Sequence, residues 1–114
     1  MATSKEYIRF ILDQLSGLEE ISYRSMMGEY IIYYRGKIAA YVCDNRLLVK
    51  PVDAAKKYIP NGIYEPPYEG AKEMLLVENV DSPEYLMGLF DAIYEELPVP
   101  KKKKEKKRRS ADGI

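Results

Sequence analysis

Arg24, Glu29, Arg46 and Lys50 are the residues of this 114-residue chain whose types and spacing can do chemistry. Arginine and lysine offer positive charge to a carboxylate or phosphate, and a carboxylate among them can hold a cation or move a proton. Arg46 and Lys50 stand four apart in a segment that reads as a strand, so both point to one face, with Leu48 between them. If Arg24 and Glu29 lie across the same sheet, two outcomes follow. One is an ion-pair network that fixes register. The other is an exposed patch, with Met27 and Gly28 beside it, that takes a partner protein or an anionic ligand.

Other catalytic constellations are missing. The chain has no histidine, which removes the commonest general base and metal ligand. Its single cysteine, Cys43, can form neither an internal disulfide nor a cysteine-rich zinc site, and reads as a small packed thiol. Gly28 and Gly36 stand alone and match neither a phosphate loop nor a dinucleotide fingerprint. Glu19-Glu20 and Glu95-Glu96 are sequence neighbours that read as solvated charge, and no EF-hand spacing exists. The expectation is a protein that is not an enzyme, with no cofactor and no metal.

Charge divides the chain. Lys101, Lys102, Lys103, Lys104, Lys106, Lys107, Arg108 and Arg109 make residues 101–114 carry a net of +6, and residues 1–100 carry −6. The basic run offers non-specific, salt-dependent contact to nucleic acid, without interleaved aromatics for base stacking. With no apolar residue between Lys101 and Arg109, it is expected to be a disordered tail. The division expected is an α+β domain over 1–98 and a basic tail over 99–114. No apolar run approaches the roughly 18 residues of a membrane span and no signal-peptide core opens the chain, so no membrane partner and a cytoplasmic location are expected.

The elements that must position these residues follow from periodicity. Thr3, with Glu6 three residues on, reads as the cap of a first helix. Its stripe is Ile8, Ile11, Leu12 and Leu15, and Gly17 can end it in a left-handed conformation. Ile21 to Tyr23 reads as a lead-in strand. Met26 and Met27 precede the next strand, and at least one of them is expected in the core, with Gly28 at a bend or bulge. Glu29–Tyr34, Lys37–Cys43 and Arg46–Lys50 read as a meander, turning at Arg35-Gly36 and Asp44-Asn45. Alternation puts Ile38, Ala40 and Val42 on one face of the second of these strands. Tyr30 and Tyr34 fall on one side of the first, and Tyr33 on the other. Asp53 caps a short helix, Lys72–Glu78 reads as a strand buried on both faces, and Asp81 or Ser82 caps a last helix. That helix carries the stripe Leu86, Leu89, Phe90, Ile93 and Leu97. The order α-β-β-β-α-β-α predicts a two-layer α+β sandwich, mainly antiparallel, with helices on one face.

Several of these segments resemble the N-terminal domain of the TfoX/Sxy family. The resemblance lies in Arg24-Ser25-Met26-Met27-Gly28, in Tyr30 and Tyr33 before Gly36-Lys37, and in Asp44-Asn45-Arg46-Leu47-Leu48-Val49-Lys50. It continues through Glu65-Pro66-Pro67-Tyr68, the Lys72 to Val77 strand and the final helix. It implies a small two-layer α+β domain and a non-enzymatic role. The best-known members regulate natural competence, acting in transcription alongside the cyclic-AMP receptor protein, and the longer ones carry a second, helical domain. The family supplies no catalytic residues to carry over. The resulting expectation is a regulatory or binding protein acting through an unknown protein partner, with nucleic-acid contact through the tail. Two alternatives stand beside it. One is a small anionic-ligand-binding or catalytic domain using Arg24, Glu29, Arg46 and Lys50. The other is an oligomerisation module, such as a homodimer, using a tyrosine-rich sheet face.

Overall fold

Three tight turns in succession set the shape of this molecule. Met27-Gly28 (φ 53° and 84°), Arg35-Gly36 (52° and 83°) and Asp44-Asn45 (55° and 56°) are all left-handed at both positions. A two-residue turn of that kind has a backbone twist that matches the right-handed twist of the strands it joins. It therefore folds four consecutive strands into a meander. The structure, a computed structural model, describes residues 3–98. The basic run Lys101–Arg109 and the remainder of the expected tail lie outside the described residues.

The elements are α1 (Lys5–Gln14), β1 (Ile21–Met26), β2 (Glu29–Tyr34), β3 (Lys37–Cys43), β4 (Arg46–Val49), α2 (Asp53–Tyr58), β5 (Tyr64–Glu65), β6 (Met74–Val77) and α3 (Pro83–Tyr94). They build one sheet in the order β1-β2-β3-β4-β6-β5, with every neighbouring pair antiparallel. The expected α+β architecture and order of elements are present. The lead-in strand is longer than its sequence suggests, because the turn at Met27-Gly28 pairs Met26 with Glu29 and carries the ladder back to Ile21 opposite Tyr34.

The three helices cover one face. Ile8, Ile11 and Leu15 of the first helical segment and Leu86, Leu89, Phe90, Ile93 and Leu97 of the last bury against Ile32, Tyr34, Val42, Leu47, Val49, Leu75 and Val77 of the sheet. Each large apolar side chain removed from water there contributes roughly 1.5–3 kcal/mol. Alternation along β3 is broken. Ile32 pairs with Ala40 but Tyr33 pairs with Ile38, so Ala39 is an extra residue in the strand. The bulge turns both Ala39 and Ala40 into the main core and moves Ile38 to the opposite face, beside Tyr33. Ile38 therefore does not share a face with Ala40 and Val42.

Helix ends depart from expectation for local reasons. Ser4, not Thr3, caps α1, its Oγ accepting from Tyr7 N at 3.1 Å. Thr3 is committed elsewhere, donating from Oγ1 to Glu29 Oε1 at 2.7 Å. α1 ends at Gln14 without a left-handed glycine. Gly17 instead allows close approach, since a Cβ there would stand 2.5 Å from Met87 Sδ of α3. Asp53 is the first residue of α2 rather than its cap. The carboxylate of Glu96 supplies that cap, accepting from Ala54 N at 2.8 Å, and so ties the end of α3 to the start of α2. Ser82 caps α3, with Pro83 as its first residue.

The C-terminal turn of α3 is latched to the β2–β3 hairpin. Tyr34 Oη donates to Asp91 Oδ1 at 2.5 Å, and Lys37 Nζ donates to Tyr94 O at 3.1 Å while lying 4.3 Å from the Tyr94 ring centroid. A cation at those terminal carbonyls also opposes the helix dipole. The phenol of Tyr34 is held above its ordinary value, first by its bond to the Asp91 carboxylate and then by burial.

Tyr58 of α2 packs over Gly88 of α3. A Cβ at this position would run into the hydroxyl of Tyr58, whose ring packs edge-on against Tyr85 at 5.1 Å. Alanine at an interior helix glycine ordinarily stabilises by about 1 kcal/mol. Here Gly88→Ala is expected to destabilise in urea melts, and Tyr58→Phe in the same chain to recover part of the loss. A stabilised single variant would show that α2 is not seated on Gly88.

Candidate functional site

The sheet face opposite the helices carries a second, smaller cluster. Cys43, Leu48 and Met74 are buried there, with Tyr41 and Leu76 packed around them. Among the described residues, no helix packs on them. Residues 66–73, between β5 and β6, lie over this cluster instead, with Pro67 itself buried.

Arg46 holds that loop down. It leaves β4 on the outer face, opposite Cys43 of β3. Its Nη1 donates to Glu65 Oε1 at 2.6 Å and its Nε to Cys43 O at 3.2 Å. Its Nη2 lies 3.4 Å from Pro66 O and 3.3 Å from Pro67 O. Two consecutive prolines have no N–H with which to join a ladder, so their carbonyls are fastened from outside by a planar group with several donors. The ion pair is partly exposed and contributes at most about 1 kcal/mol as a charge interaction. Its larger effect is geometric: it fixes where Tyr68 stands.

Glu29 is the second junction. It begins β2 and receives Thr3 Oγ1 at 2.7 Å and Asp44 N at 3.1 Å. Thr3 N donates to Gly28 O at 3.1 Å and Asn45 N to Thr3 Oγ1 at 3.3 Å, while Ser4 N donates to Asn45 Oδ1 at 3.0 Å. One carboxylate and one buried hydroxyl thus join the chain start, the β1–β2 turn and the β3–β4 turn.

The four charged residues singled out in the sequence share a sheet but not a site. Arg24 is exposed on the edge strand, paired with Ile31. Glu29 takes neutral donors, and Arg46 takes Glu65. Lys50 follows β4 with its Nζ 5.9 Å from the Tyr41 ring centroid. Arg46, Leu48 and Lys50 do share the outer face, as the strand period requires. Among the described residues, no three His, Cys, Asp or Glu side chains converge as a metal set, and no helix is long and apolar enough to cross a membrane.

Met27 is where sequence and structure differ most. Neither it nor Met26 enters the core: Met26 is 36% exposed and Met27 97%. Met27 is the first residue of a left-handed turn, where glycine and asparagine are favoured and an ordinary side chain costs roughly 1–2 kcal/mol. Gly28 is the second residue of that turn rather than a bulge. Met26, Met27, Glu29 and the half-exposed Tyr68 enclose an open groove of about 430 Å³. Sequence reasoning named Tyr68 only within the segment Glu65-Pro66-Pro67-Tyr68 that resembles the family, and did not single it out as a site residue.

These features define a two-layer α+β domain with a loop-covered outer sheet face and an apolar groove at one end of it. The chain belongs to the TfoX N-terminal domain family, whose model matches residues 13–86. It is 34% identical over 108 residues, covering 93% of each chain, to "Uncharacterized 12.7 kDa protein in trpE 5'region" of Spirochaeta aurantia. No solved structure matches the chain.

Two tests follow from the Arg46 clamp and Cys43. Cys43 is fully buried, and burial, aided by the nearby Glu29 charge, pushes its thiol from 9.0 up to about 11. In the native state a thiol reagent should react with it only through local opening. Arg46→Ala, and Arg46→Lys to a lesser degree, are expected to release the loop and speed labelling. Unchanged rates would show that Arg46 does not hold it. A raised thiol pKa means that the unfolded chain releases its proton first. The contribution of Cys43 to stability is therefore full below pH 9 and is lost as pH rises toward about 11. Cys43→Ala should flatten that part of an alkaline urea-melt series.

Proposed function

We propose that this chain is a non-enzymatic binding protein that recognises another protein through the groove between Met26, Met27, Glu29 and Tyr68. The observation that carries this reading is Met27, an apolar side chain almost wholly in solvent at a backbone position that disfavours it. Strain of this kind is retained where function needs the side chain. Methionine is an adaptable contact residue, and tyrosine adds a broad apolar ring with a polar tip. The groove fits a partner that presents an apolar side chain next to a basic group, the latter facing Glu29. Membership of the family adds a regulatory setting, in transcription or competence, as the finer form of the same reading. A cytoplasmic location accompanies it.

The basic run Lys101–Arg109 adds a second contact of a different kind. Its charge supports sequence-independent binding to nucleic acid that weakens steeply with salt. Deleting residues 101–114 should abolish retention of DNA or RNA at low salt, and equal retention would remove this contact.

Met27→Asn separates function from stability. Asparagine suits the turn, so the variant should gain roughly 0.5–1 kcal/mol in urea melts. A photo-crosslinker at Tyr68 in living cells should give a defined adduct, identified by mass spectrometry, that Met27→Asn removes. A crosslinker at Lys57, on α2, should not give that adduct. An adduct insensitive to Met27→Asn, or shared by both positions, would overturn the reading.

A further inference from the structure

The two edges of the sheet are unlike. β5 is two residues long and runs directly into Pro66-Pro67, which blocks further pairing. β1 presents six residues, Ile21–Met26, without proline or lysine. The irregular register of the sheet lies between β2 and β3, away from this edge. Natural sheets usually blunt an edge of such length, because its free N–H and C=O groups can pair with another strand.

Register fixes which groups are free. Arg35 N donates to Glu20 O at 3.0 Å. A two-residue turn makes Met26 and Glu29 a hydrogen-bonded pair. Residues 20, 22, 24 and 26 therefore turn their backbone groups toward β2. Ile21, Tyr23 and Ser25 turn theirs outward. On the helix side of the same edge is a notch of about 170 Å³, lined by Ile8, Leu12, Tyr23 and Tyr30, with Lys5 and Arg9 at its rim. A cavity of about 150 Å³ is enough for one aromatic ring. Tyr23 is 53% exposed beside it, its ring 5.9 Å from that of Tyr30.

We propose that β1 pairs antiparallel with β1 of a second copy of this chain, about a two-fold axis perpendicular to the sheet and centred on Tyr23. Such an axis keeps the helices of both copies on one side, so only registers that oppose residues of the same face are allowed. Centred on Tyr23, Ile21 opposes Ser25, Ser22 opposes Arg24, and all the outward backbone groups find partners. Each tyrosine ring meets the other beside the two notches. The next allowed register toward the C-terminus centres on Arg24 and sets two guanidinium groups against each other, which is unfavourable. The one toward the N-terminus centres on Ser22 and leaves Ser25 unpaired. Charge complementarity supports a second copy as the occupant, since residues 1–100 carry −6 and residues 101–114 carry +6, so the basic run of one copy can neutralise the acidic body of the other. The paired residues 21–25 do not include Met27 or Tyr68, and the partner groove adjoins this edge only through Met26.

Light scattering on the full chain tests this. Its mass should rise from 13.2 kDa toward twice that value as concentration increases. Tyr23→Pro removes a central outward N–H and no bond to β2. It should leave the circular dichroism unchanged and hold the chain as a monomer, while Arg24→Gln should still dimerise. Two cysteine variants in a Cys43→Ala background decide the matter if the proline variant does not fold. A Tyr23→Cys pair would face itself across the axis at a Cα separation of about 5.5 Å, within disulfide reach. An Arg24→Cys pair would lie one residue to either side of the axis, diagonal neighbours about 7–8 Å apart and out of reach. Preassociation should make the first crosslink on the order of a hundredfold faster than the second. A wild-type chain that stays monomeric at every concentration, a dimer that survives in folded Tyr23→Pro, or equal crosslinking at the two positions would each overturn the proposal.

Discussion

The outer face of this domain depends on one guanidinium. Arg46 meets a carboxylate, the carbonyl of its cross-strand neighbour and the carbonyls of two consecutive prolines. Pro66 and Pro67 have no N–H to donate to a ladder, so these donors fasten the middle of the loop, whose ends are held by the pairing of β5 with β6. With them, Cys43, Leu48 and Met74 are buried on a face that no helix among the described residues covers. The position of Tyr68 follows, and with it one wall of the groove at Met26 and Met27. A residue that reads in sequence as a ligand-binding cation thus acts as a fastener, and the surface it creates becomes the place to seek a partner.

Glu29 has a parallel history. In the sequence it is the one carboxylate among candidate cations. In the structure it takes a buried threonine hydroxyl and a turn N–H, both neutral. This junction explains why α1 starts at Lys5, with Ser4 as its cap: Thr3 is already engaged with Glu29. The two outer-face junctions flank the same end of the sheet, so the groove between them stands on a rigid base. Its most exposed member, Met27, is the part that local backbone preference would not choose.

Much of the fold was legible because it rests on local rules. Leu86, Leu89, Phe90, Ile93 and Leu97 repeat at the helical period and are all buried. Gly36 and Asp44-Asn45 announce turns through residues that tolerate positive φ. Met27-Gly28 was harder to read, because methionine is rare at such a position and two methionines ordinarily suggest core. The bulge at Ala39 left no trace either: alanine is compatible with either face, and only pairing with β2 shows that the strand holds one residue too many. The candidate site was legible only in part. Strand period placed Arg46, Leu48 and Lys50 on one face, but partner choice for Arg46 and Glu29 depends on segments far away in sequence.

By itself, the sequence determined the order of elements, the two-layer α+β class, the family and the division of charge between residues 1–100 and 101–114. These follow from periodicity, turn chemistry and composition, which act over a few residues at a time. Only the tertiary structure decided which charges are neutralised, which apolar side chains are left in solvent and which sheet edge stays bare. Those outcomes depend on which groups from distant segments come within hydrogen-bonding distance. For this chain they turned four candidate catalytic or ligand-binding charges into two structural junctions, a solvent-exposed arginine and a lysine resting near a tyrosine ring.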